Sequence, residues 1–210
     1  MKKIYISPSD QWSNLTELSG VSEAKQCKMI ADECNEILTR HGYIVKVGDN
    51  SKEKSYTIRV KESNDFKADL HICIHTNAGG GSGTLVLCHP SRVNNEYVNS
   101  VYERVASLTP SKDRGIYPRT DLYEINKTNA LCIYVEVDFH DNKTTETWIY
   151  SNIENIALAI CKGIFDIDEK EDLPIYRVQV GAFADKCNAD RLLERLKSDG
   201  YRDAFITKRG

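Results

Sequence analysis

The 210-residue sequence has no long hydrophobic run: its apolar stretches, such as Ile156–Ile160, are far shorter than the roughly 20 residues of a membrane-spanning helix. The amino-terminal segment also lacks the apolar stretch of about 7–15 residues that marks a secretory signal, because Ser7 and Pro8 soon interrupt it. We therefore expect no membrane insertion, and synthesis in the cytoplasm without a signal peptide.

The seven cysteines have no Cys-x-x-Cys spacing, which argues against a zinc–thiolate cluster. Their odd number leaves at least one thiol free, and their scatter indicates reduced thiols. Cys73, Cys132 and Cys161 lie within apolar stretches, so we predict that they are small core residues.

The sequence as a whole also has no excess of basic residues, with 28 Lys or Arg against 31 Asp or Glu. Residues 1–174 hold twenty Lys or Arg against twenty-six Asp or Glu, which gives nucleic acid no evident docking surface. Residues 175–210 hold eight against five, and this asymmetry indicates a modular chain. The hydrophobic share of 40% and charged share of 28% are ordinary for a globular protein and exclude disorder.

What is present is an alternation of strand-like and helix-like segments over residues 1–166. Between Ser22, a predicted N-cap, and Gly42, a predicted helix end, apolar residues recur every three or four positions. The other predicted helices are 56–66, 93–108 and 144–165, and the predicted strands are 3–6, 43–47, 70–75, 84–88, 122–125 and 132–137. This order predicts an α/β fold, with a mostly parallel twisted sheet and helices on both faces.

The charged segment 167–174 ends in proline and is predicted to be a linker. Residues 175–210 then read as a small βαβ unit, with strands at 176–180 and 204–207 around a helix at 188–199. A unit of this size buries little core alone, so we expect it to pair with a second copy or to pack on the main domain.

Two residues stand out as candidates for chemistry. His75 ends an apolar strand where a glycine-rich loop begins, the edge at which parallel sheets bind ligands. Glu136 lies inside an apolar strand, where a carboxylate is costly, so it is either a catalytic base or a salt-bridged core acid. With Glu23 and His140 they form a nitrogen and oxygen donor set of the kind that catalytic zinc uses, although no HExxH motif is present.

The run 69–81 (DLHICIHTNAGGG), the segment 128–142 (TNALCIYVEVDFHDN) and the opening strand before a Glu-started helix resemble the type 3 N-acetylmuramoyl-L-alanine amidases. The SPSDQ opening resembles the clostridial and clostridial-phage variety. The resemblance covers residues 1 to about 165 and implies a zinc-dependent hydrolase, which cuts the amide between N-acetylmuramic acid and the L-alanine of the peptidoglycan stem.

The resemblance also implies roles for residues. Glu23 and His75 match metal-binding positions of the family, and Glu136 matches the catalytic glutamate that activates water. The family usually has a further zinc-binding histidine after the first strand, where this chain has Ser-Pro-Ser-Asp. His140 is the expected third ligand and Asp10 the alternative, whereas His71 lies about 13 Å from His75 along an extended strand.

The tail from Tyr176 to Phe183, with the following helix and Gly200-Tyr201, resembles the repeat of SPOR domains, which bind septal or denuded glycan strands. A full SPOR domain carries two such halves and this chain carries one. The resemblance therefore implies peptidoglycan as the partner and a homodimer in which two chains supply the halves.

The sequence thus predicts a domain at 1–166, a linker at 167–174 and a wall-binding half module at 175–210. An endolysin and a sporulation autolysin both fit, each acting on the wall after lysis or holin-mediated release. The alternatives are a non-catalytic peptidoglycan-binding protein whose amidase-like domain has lost its metal, and a cytoplasmic α/β hydrolase of unrelated substrate.

Overall fold

The computed structural model describes residues 1–51, 55–172, 178–202 and 204–208. The chain divides into two units, Met1–Asp172 and Leu173–Gly210. The larger unit contains a six-stranded sheet flanked by helices on both faces. In this unit the fold is α/β, as the sequence predicts.

The six strands are β1 (Lys3–Pro8), β2 (Ile44–Val47), β3 (Leu70–Asn77), β4 (Leu85–Cys88), β5 (Gly115–Pro118) and β6 (Leu131–Phe139). Their order across the sheet is β2-β1-β3-β6-β4-β5, and the first four strands in this order run parallel to one another. β1 pairs in parallel with β2 and β3, and β3 pairs in parallel with β6. β4 runs antiparallel to β6 and parallel to β5.

The helices alternate with these strands. Those of the larger unit are α1 (Glu23–Arg40), α2 (Tyr56–Phe66), α3 (Glu96–Leu108), α4 (Tyr123–Lys127), α5 (Lys143–Ser151) and α6 (Ile153–Asp172). Ser22 caps α1 as predicted, because its side chain accepts a hydrogen bond from the Lys25 backbone N–H. Gly42 follows the helix with φ +85°, a left-handed conformation that glycine adopts without strain.

The two faces of the sheet differ in chemistry, because side chains alternate along each strand. One face carries residues such as Ile72, Ile74 and Val135 and packs against α1, α3 and α6 in the main hydrophobic core. The other face carries His71, Cys73 and His75 of β3 and is covered in part by α2 and α4. The polar side chains of β3 therefore share one side of the sheet.

Close approach of two helices makes one glycine of the core indispensable. At Gly163 in α6, an added Cβ would lie 2.5 Å from the Cα of Val101 in α3. Val101 is fully buried, and its backbone has no room to retreat. Gly163 thus sets the distance at which α3 and α6 pack.

Three predicted elements need correction. Residues 122–125 were expected as a strand, but Tyr123–Lys127 form helix α4 and the fifth strand is Gly115–Pro118. Asn152 interrupts the predicted helix 144–165, which is divided into α5 and α6. Helix α6 continues to Asp172, so residues 167–172 of the predicted linker are helical, and 173–174 lie outside the described residues.

In the smaller unit, the predicted helix is present as α7 (Lys186–Ser198). Its N-cap is Asp185, which accepts a hydrogen bond from the Cys187 N–H at 2.7 Å. Neither predicted flanking strand is formed by the described residues 178–180 and 204–207, and 176–177 lie outside the described part. A strand requires a hydrogen-bonded neighbour, and this short segment supplies none.

In the part of the chain that the structure describes, no helix combines the length and hydrophobicity needed to cross a membrane.

Candidate active site and metal-binding residues

The site lies at the carboxyl end of β3, where α1 begins. Glu23 is the first residue of α1 and is fully buried. Its Oε1 lies 2.9 Å from Nδ1 of His75, the sixth residue of β3. The helix start thus holds a carboxylate against the imidazole at the end of the neighbouring strand.

Glu136 completes the group from β6. The parallel register pairs Glu136 with His75, so the two side chains are neighbours on the same face. Beyond this pair the register shifts, because the two steps from His75 to Asn77 on β3 match the three steps from Glu136 to Phe139 on β6. Bulges of this kind often redirect side chains next to active sites.

The electrostatics of the three groups are coupled. Burial raises the pKa of Glu136 to about 7. The positive charges of His75 and Arg119 act to lower this pKa, and the negative charge of Glu23 acts to raise it. Burial also opposes the charge of Glu23, but its hydrogen bond to His75 and the histidine's charge outweigh burial and lower the pKa of Glu23. Glu23 is thus a fixed carboxylate, whereas Glu136 can take up or release a proton near neutrality.

Several nitrogen and oxygen atoms of this region are buried without a hydrogen-bond partner among the described residues. They are Nε2 of His75, Oε2 of Glu136 and Nε2 of His140. Buried polar atoms are usually paired, because leaving one unpaired costs about 1–3 kcal/mol. The donor types, imidazole nitrogen and carboxylate oxygen, fit a zinc ion of the catalytic kind.

The two expected choices for a third ligand have other partners. His140 follows β6 and is fully buried, with its Nδ1 2.9 Å from Oγ1 of Thr76 and its Nε2 unpaired as noted above. Asp10 follows β1, and its carboxylate forms an ion pair with Nη1 of Arg59 at 3.1 Å. The structure brings together Glu23, His75 and Glu136, and among the described residues no hydrogen bond or ion pair joins His140 or Asp10 to them.

Sequence reasoning missed two residues that support the site. Asn14, in the loop after β1, donates from Nδ2 to Oε2 of Glu23 at 2.8 Å. Arg119 follows β5 and carries the positive charge that lowers the pKa of Glu136. Its position just after a strand was the available signal, but the strand itself, Gly115–Pro118, was not recognised.

A buried acid on α5 holds the loop over this region. Glu146 accepts hydrogen bonds from the backbone N–H of Leu18 and from the N–H and hydroxyl of Ser19. Burial raises the pKa of Glu146, but these hydrogen bonds outweigh it and the net shift is downward. Glu146 therefore fixes the segment that leads into Glu23.

Comparison with known proteins agrees with this arrangement. Residues 11–166 match the family model described as N-acetylmuramoyl-L-alanine amidase, and residues 168–210 match the SPOR domain. The N-acetylmuramoyl-L-alanine amidase CwlM of Bacillus licheniformis is 26% identical over 220 aligned positions, which cover 100% of this chain and 86% of the relative. A sporulation-specific N-acetylmuramoyl-L-alanine amidase of Bacillus subtilis is 25% identical, covering 99% of this chain and 86% of that relative.

The fold is likewise that of a known catalytic domain. The catalytic domain of CwlV, an amidase from Bacillus (Paenibacillus) polymyxa var. colistinus, superposes with a TM-score of 0.72 at 21% identity. The match covers 80% of this chain and 99% of CwlV's domain. Since the family model spans well over half of the residues, the chain belongs to the N-acetylmuramoyl-L-alanine amidase family and is a peptidoglycan amidase that carries a SPOR domain.

Proposed function

We propose that this amidase is zinc-dependent, with Glu23 and His75 as metal ligands and Glu136 as the catalytic residue. The observation that carries the proposal is the buried contact between Glu23 Oε1 and His75 Nδ1 at 2.9 Å, with Glu136 beside it on the next strand. Both side chains present donor atoms of the types that catalytic zinc binds. A bound Zn²⁺ would supply Lewis-acid polarisation of the scissile amide and would acidify a water molecule.

The chain's own residues supply the proton transfers. With a pKa of about 7, Glu136 accepts the proton of the attacking water and can return it to the nitrogen of the departing L-alanine. Asn14 keeps Glu23 oriented toward His75 by its hydrogen bond to the second carboxylate oxygen. The bond that breaks is the amide between N-acetylmuramic acid and L-alanine, and water supplies the atoms added to the two fragments.

We propose His140 as the third protein ligand, with Asp10 as the alternative. His140 is supported by its buried Nε2, which has no hydrogen-bond partner among the described residues. Asp10 is already neutralised by Arg59, and binding zinc would require it to leave that ion pair. Either residue would take the place of the histidine that the family usually has after the first strand.

Metal analysis and product analysis test the zinc proposal together. The full-length protein is expected to contain zinc, and chelation is expected to stop the release of stem peptides from purified walls until zinc is added back. Mass spectrometry should find free amino-terminal L-alanine on the released peptides. Peptide release that continues unchanged after metal removal would reject zinc dependence, and a metal-free protein that binds walls without cutting them would favour the wall-binding alternative.

We also propose that two chains pair through their tails, with the catalytic domain near 1–166 and the half module at 175–210. In the smaller unit, α7 contains no buried residue, and apolar side chains such as Val178, Tyr201 and Phe205 are 86%, 66% and 68% exposed. A second copy of the half module would cover apolar side chains of this kind and could supply the missing neighbour for the unpaired strand segments. Two tails in one dimer would strengthen wall binding through avidity.

Light scattering at micromolar concentration tests this pairing. The full-length chain is expected to be a dimer, and Phe205→Ser is expected to shift it toward the monomer and weaken binding to purified walls. Lys197→Ser, on the exposed face of α7, is the matched control and should stay dimeric. A wild-type monomer at all concentrations would remove the proposal.

Finally, we propose that the enzyme reaches the wall after cell lysis or through a phage holin, as an endolysin or an autolysin. The relative from B. subtilis is described as sporulation-specific, which supports the autolysin. Following the protein by immunoblot during sporulation and after phage induction separates the two. Accumulation outside intact, growing cells would contradict both routes.

A further inference from the structure

A second group of metal-ligand atoms lies below the active site, on the same face of the sheet. His71 and Cys73 are on β3, and Cys132 is on β6, where it pairs in register with His71. One ligand atom from each residue lies within 4.8 Å of the other two, and all three side chains are buried. This is the only His, Cys, Asp or Glu group of at least three with that proximity in the described ranges.

The imidazole of His71 has the hydrogen-bond pattern that is common in metal-binding histidines. Its Nε2 lies 3.3 Å from Oε1 of the buried Glu124, while its Nδ1 is buried and has no hydrogen-bond partner among the described residues. Histidines that bind metals commonly donate their other ring N–H to a carboxylate, which leaves the free nitrogen lone pair for the ion. The orphaned Nδ1 is therefore an independent sign of a ligand.

Glu124 is itself held in place. It accepts a hydrogen bond from the hydroxyl of Ser7, which in turn accepts one from Nε of Arg59 at 2.8 Å. The positive charge of Arg59 also acts to lower the pKa of Glu124. The carboxylate that positions His71 is thus fixed by a second layer of hydrogen bonds.

The sulfur separation matches a zinc ion. Two Zn–S bonds of about 2.3 Å that meet at the tetrahedral angle place the sulfurs about 3.8 Å apart. The Sγ atoms of Cys73 and Cys132 are 3.8 Å apart, whereas a disulfide requires about 2.05 Å. A Zn²⁺ ion with two thiolates is electrically neutral, which suits a site walled by Leu85, Leu87 and Ile125.

We propose that Nδ1 of His71 and the Sγ atoms of Cys73 and Cys132 bind a zinc ion that is distinct from the one in the active site. Binding replaces two thiol protons, which pass to solvent, and changes no oxidation state. Zinc is preferred to magnesium or calcium, because those ions require oxygen ligands. The ion joins β3 to β6, the strands that present His75 and Glu136, and so fixes their register.

The two sites are separable in space and in ligand type. His71 and His75 are four residues apart on one strand, which corresponds to about 13 Å. Glu23 and His75 contribute no sulfur, whereas two of the three ligands here are cysteines. A readout specific for metal–thiolate bonds therefore reports this site alone.

Cobalt substitution of the full-length protein provides that readout. After zinc is removed and Co²⁺ is added, wild type is expected to show a thiolate-to-cobalt charge-transfer band in the near ultraviolet. Cys73→Ser and Cys132→Ser are each expected to lose the band and one equivalent of metal. His75→Ala is expected to keep the band. The experiment therefore distinguishes a wrong assignment of the active-site metal, which rests on the proposed function, from a wrong assignment of this second site.

Other cysteines serve as matched controls. Cys27→Ser, one helical turn after Glu23 on α1, and Cys88→Ser on β4 are expected to keep the band. Should Cys73→Ser fail to fold, as judged by circular dichroism, His71→Gln gives the same test without altering a thiol. Three outcomes would each overturn the proposal. They are a folded wild type that shows no band, a band that disappears only with Cys27→Ser, and a Cys73–Cys132 disulfide in mass spectrometry.

Discussion

Oε1 of Glu23 and Nδ1 of His75 are 2.9 Å apart, although 52 positions separate the two residues along the chain. The contact forms because β1 pairs with β3, and the chain that leaves β1 begins α1 beside the end of β3. Both side chains are buried, so the interaction is shielded from screening by solvent.

The first prediction separates chemistry from metal binding. Glu136→Gln keeps the shape of the side chain but cannot accept a proton from water, so peptide release should fall by about 10²–10⁴-fold. Metal content should stay that of wild type, because Glu23 and His75 are unchanged. Glu103→Gln, at an exposed position on α3, is the matched control and should retain activity. Loss of zinc together with activity would instead assign Glu136 to the metal.

The second prediction concerns the protonation of Glu136. In metal-free protein the carboxyl should titrate near pH 7, because burial and Glu23 raise its pKa to about 7. Added Zn²⁺ places positive charge nearby and should move the titration to lower pH. Carbon-13 NMR of glutamate-labelled protein measures this, with Glu136→Gln identifying the signal. A titration at the ordinary value near 4.5 in the metal-free protein would contradict the described burial.

The third prediction distinguishes the two proposed third ligands. His140→Ala should lower zinc affinity and activity together, since it removes a nitrogen ligand. Asp10→Asn should leave zinc content unchanged, because the side chain is paired with Arg59 rather than with the ion. Competition with a chromogenic chelator measures the affinities. The reverse pattern, with zinc lost only from Asp10→Asn, would transfer the ligand role to Asp10.

The fourth prediction is a pH-dependent stability. The pKa of Glu124 is lowered to about 2: burial acts to raise it, but the hydrogen bond and charge of His71 and the charge of Arg59 outweigh burial. Since the folded-state pKa lies below the ordinary value of 4.5, the stabilisation is fully present above about pH 4.5 and is lost as the pH falls through 2.

Replacing this carboxylate should therefore matter most near neutral pH. Glu124→Gln should lower the free energy of unfolding by on the order of 2 kcal/mol at pH 7, with a difference that shrinks below pH 4.5. Urea unfolding at several pH values measures this. Glu62→Gln, a less buried acid on α2, is a comparison variant that should show a smaller difference. If the loss of unfolding free energy in Glu124→Gln stays constant down to pH 2, the charge of Glu124 is not the origin of its stabilising effect.

Much of this molecule follows from local sequence signals. The helix from Glu23 has a serine cap, regular apolar spacing and a terminal glycine, and the structure confirms it. β5 was missed because Gly115–Pro118 is four residues long and has glycine and proline at its ends, which reads as a turn. Residues 122–125 (LYEI) are rich in apolar and aromatic side chains, but α4 forms there because tertiary packing against β6 overrides a short pattern.

Side-chain partners were harder to predict than elements. The absence of Cys-x-x-Cys spacing argued against a thiolate site, yet Cys73 and Cys132 meet because two strands 59 positions apart lie side by side. Their burial was predicted correctly and their proximity was not. Likewise, the Arg59 partner of Asp10 comes from α2, and no spacing along the chain reveals which carboxylate an arginine will reach.

The position of β6 in the sheet has a consequence for how the enzyme fails on heating. β6 is hydrogen-bonded on both edges, to β3 and to β4, so its amide protons should be among the slowest in the larger unit to exchange with deuterated water. Glu136 sits in that strand and cannot be displaced by fraying of an edge or a terminus. Thermal inactivation should therefore coincide with global unfolding of the larger unit, without an earlier phase in which an intact fold has already lost the Glu136 carboxylate from the site.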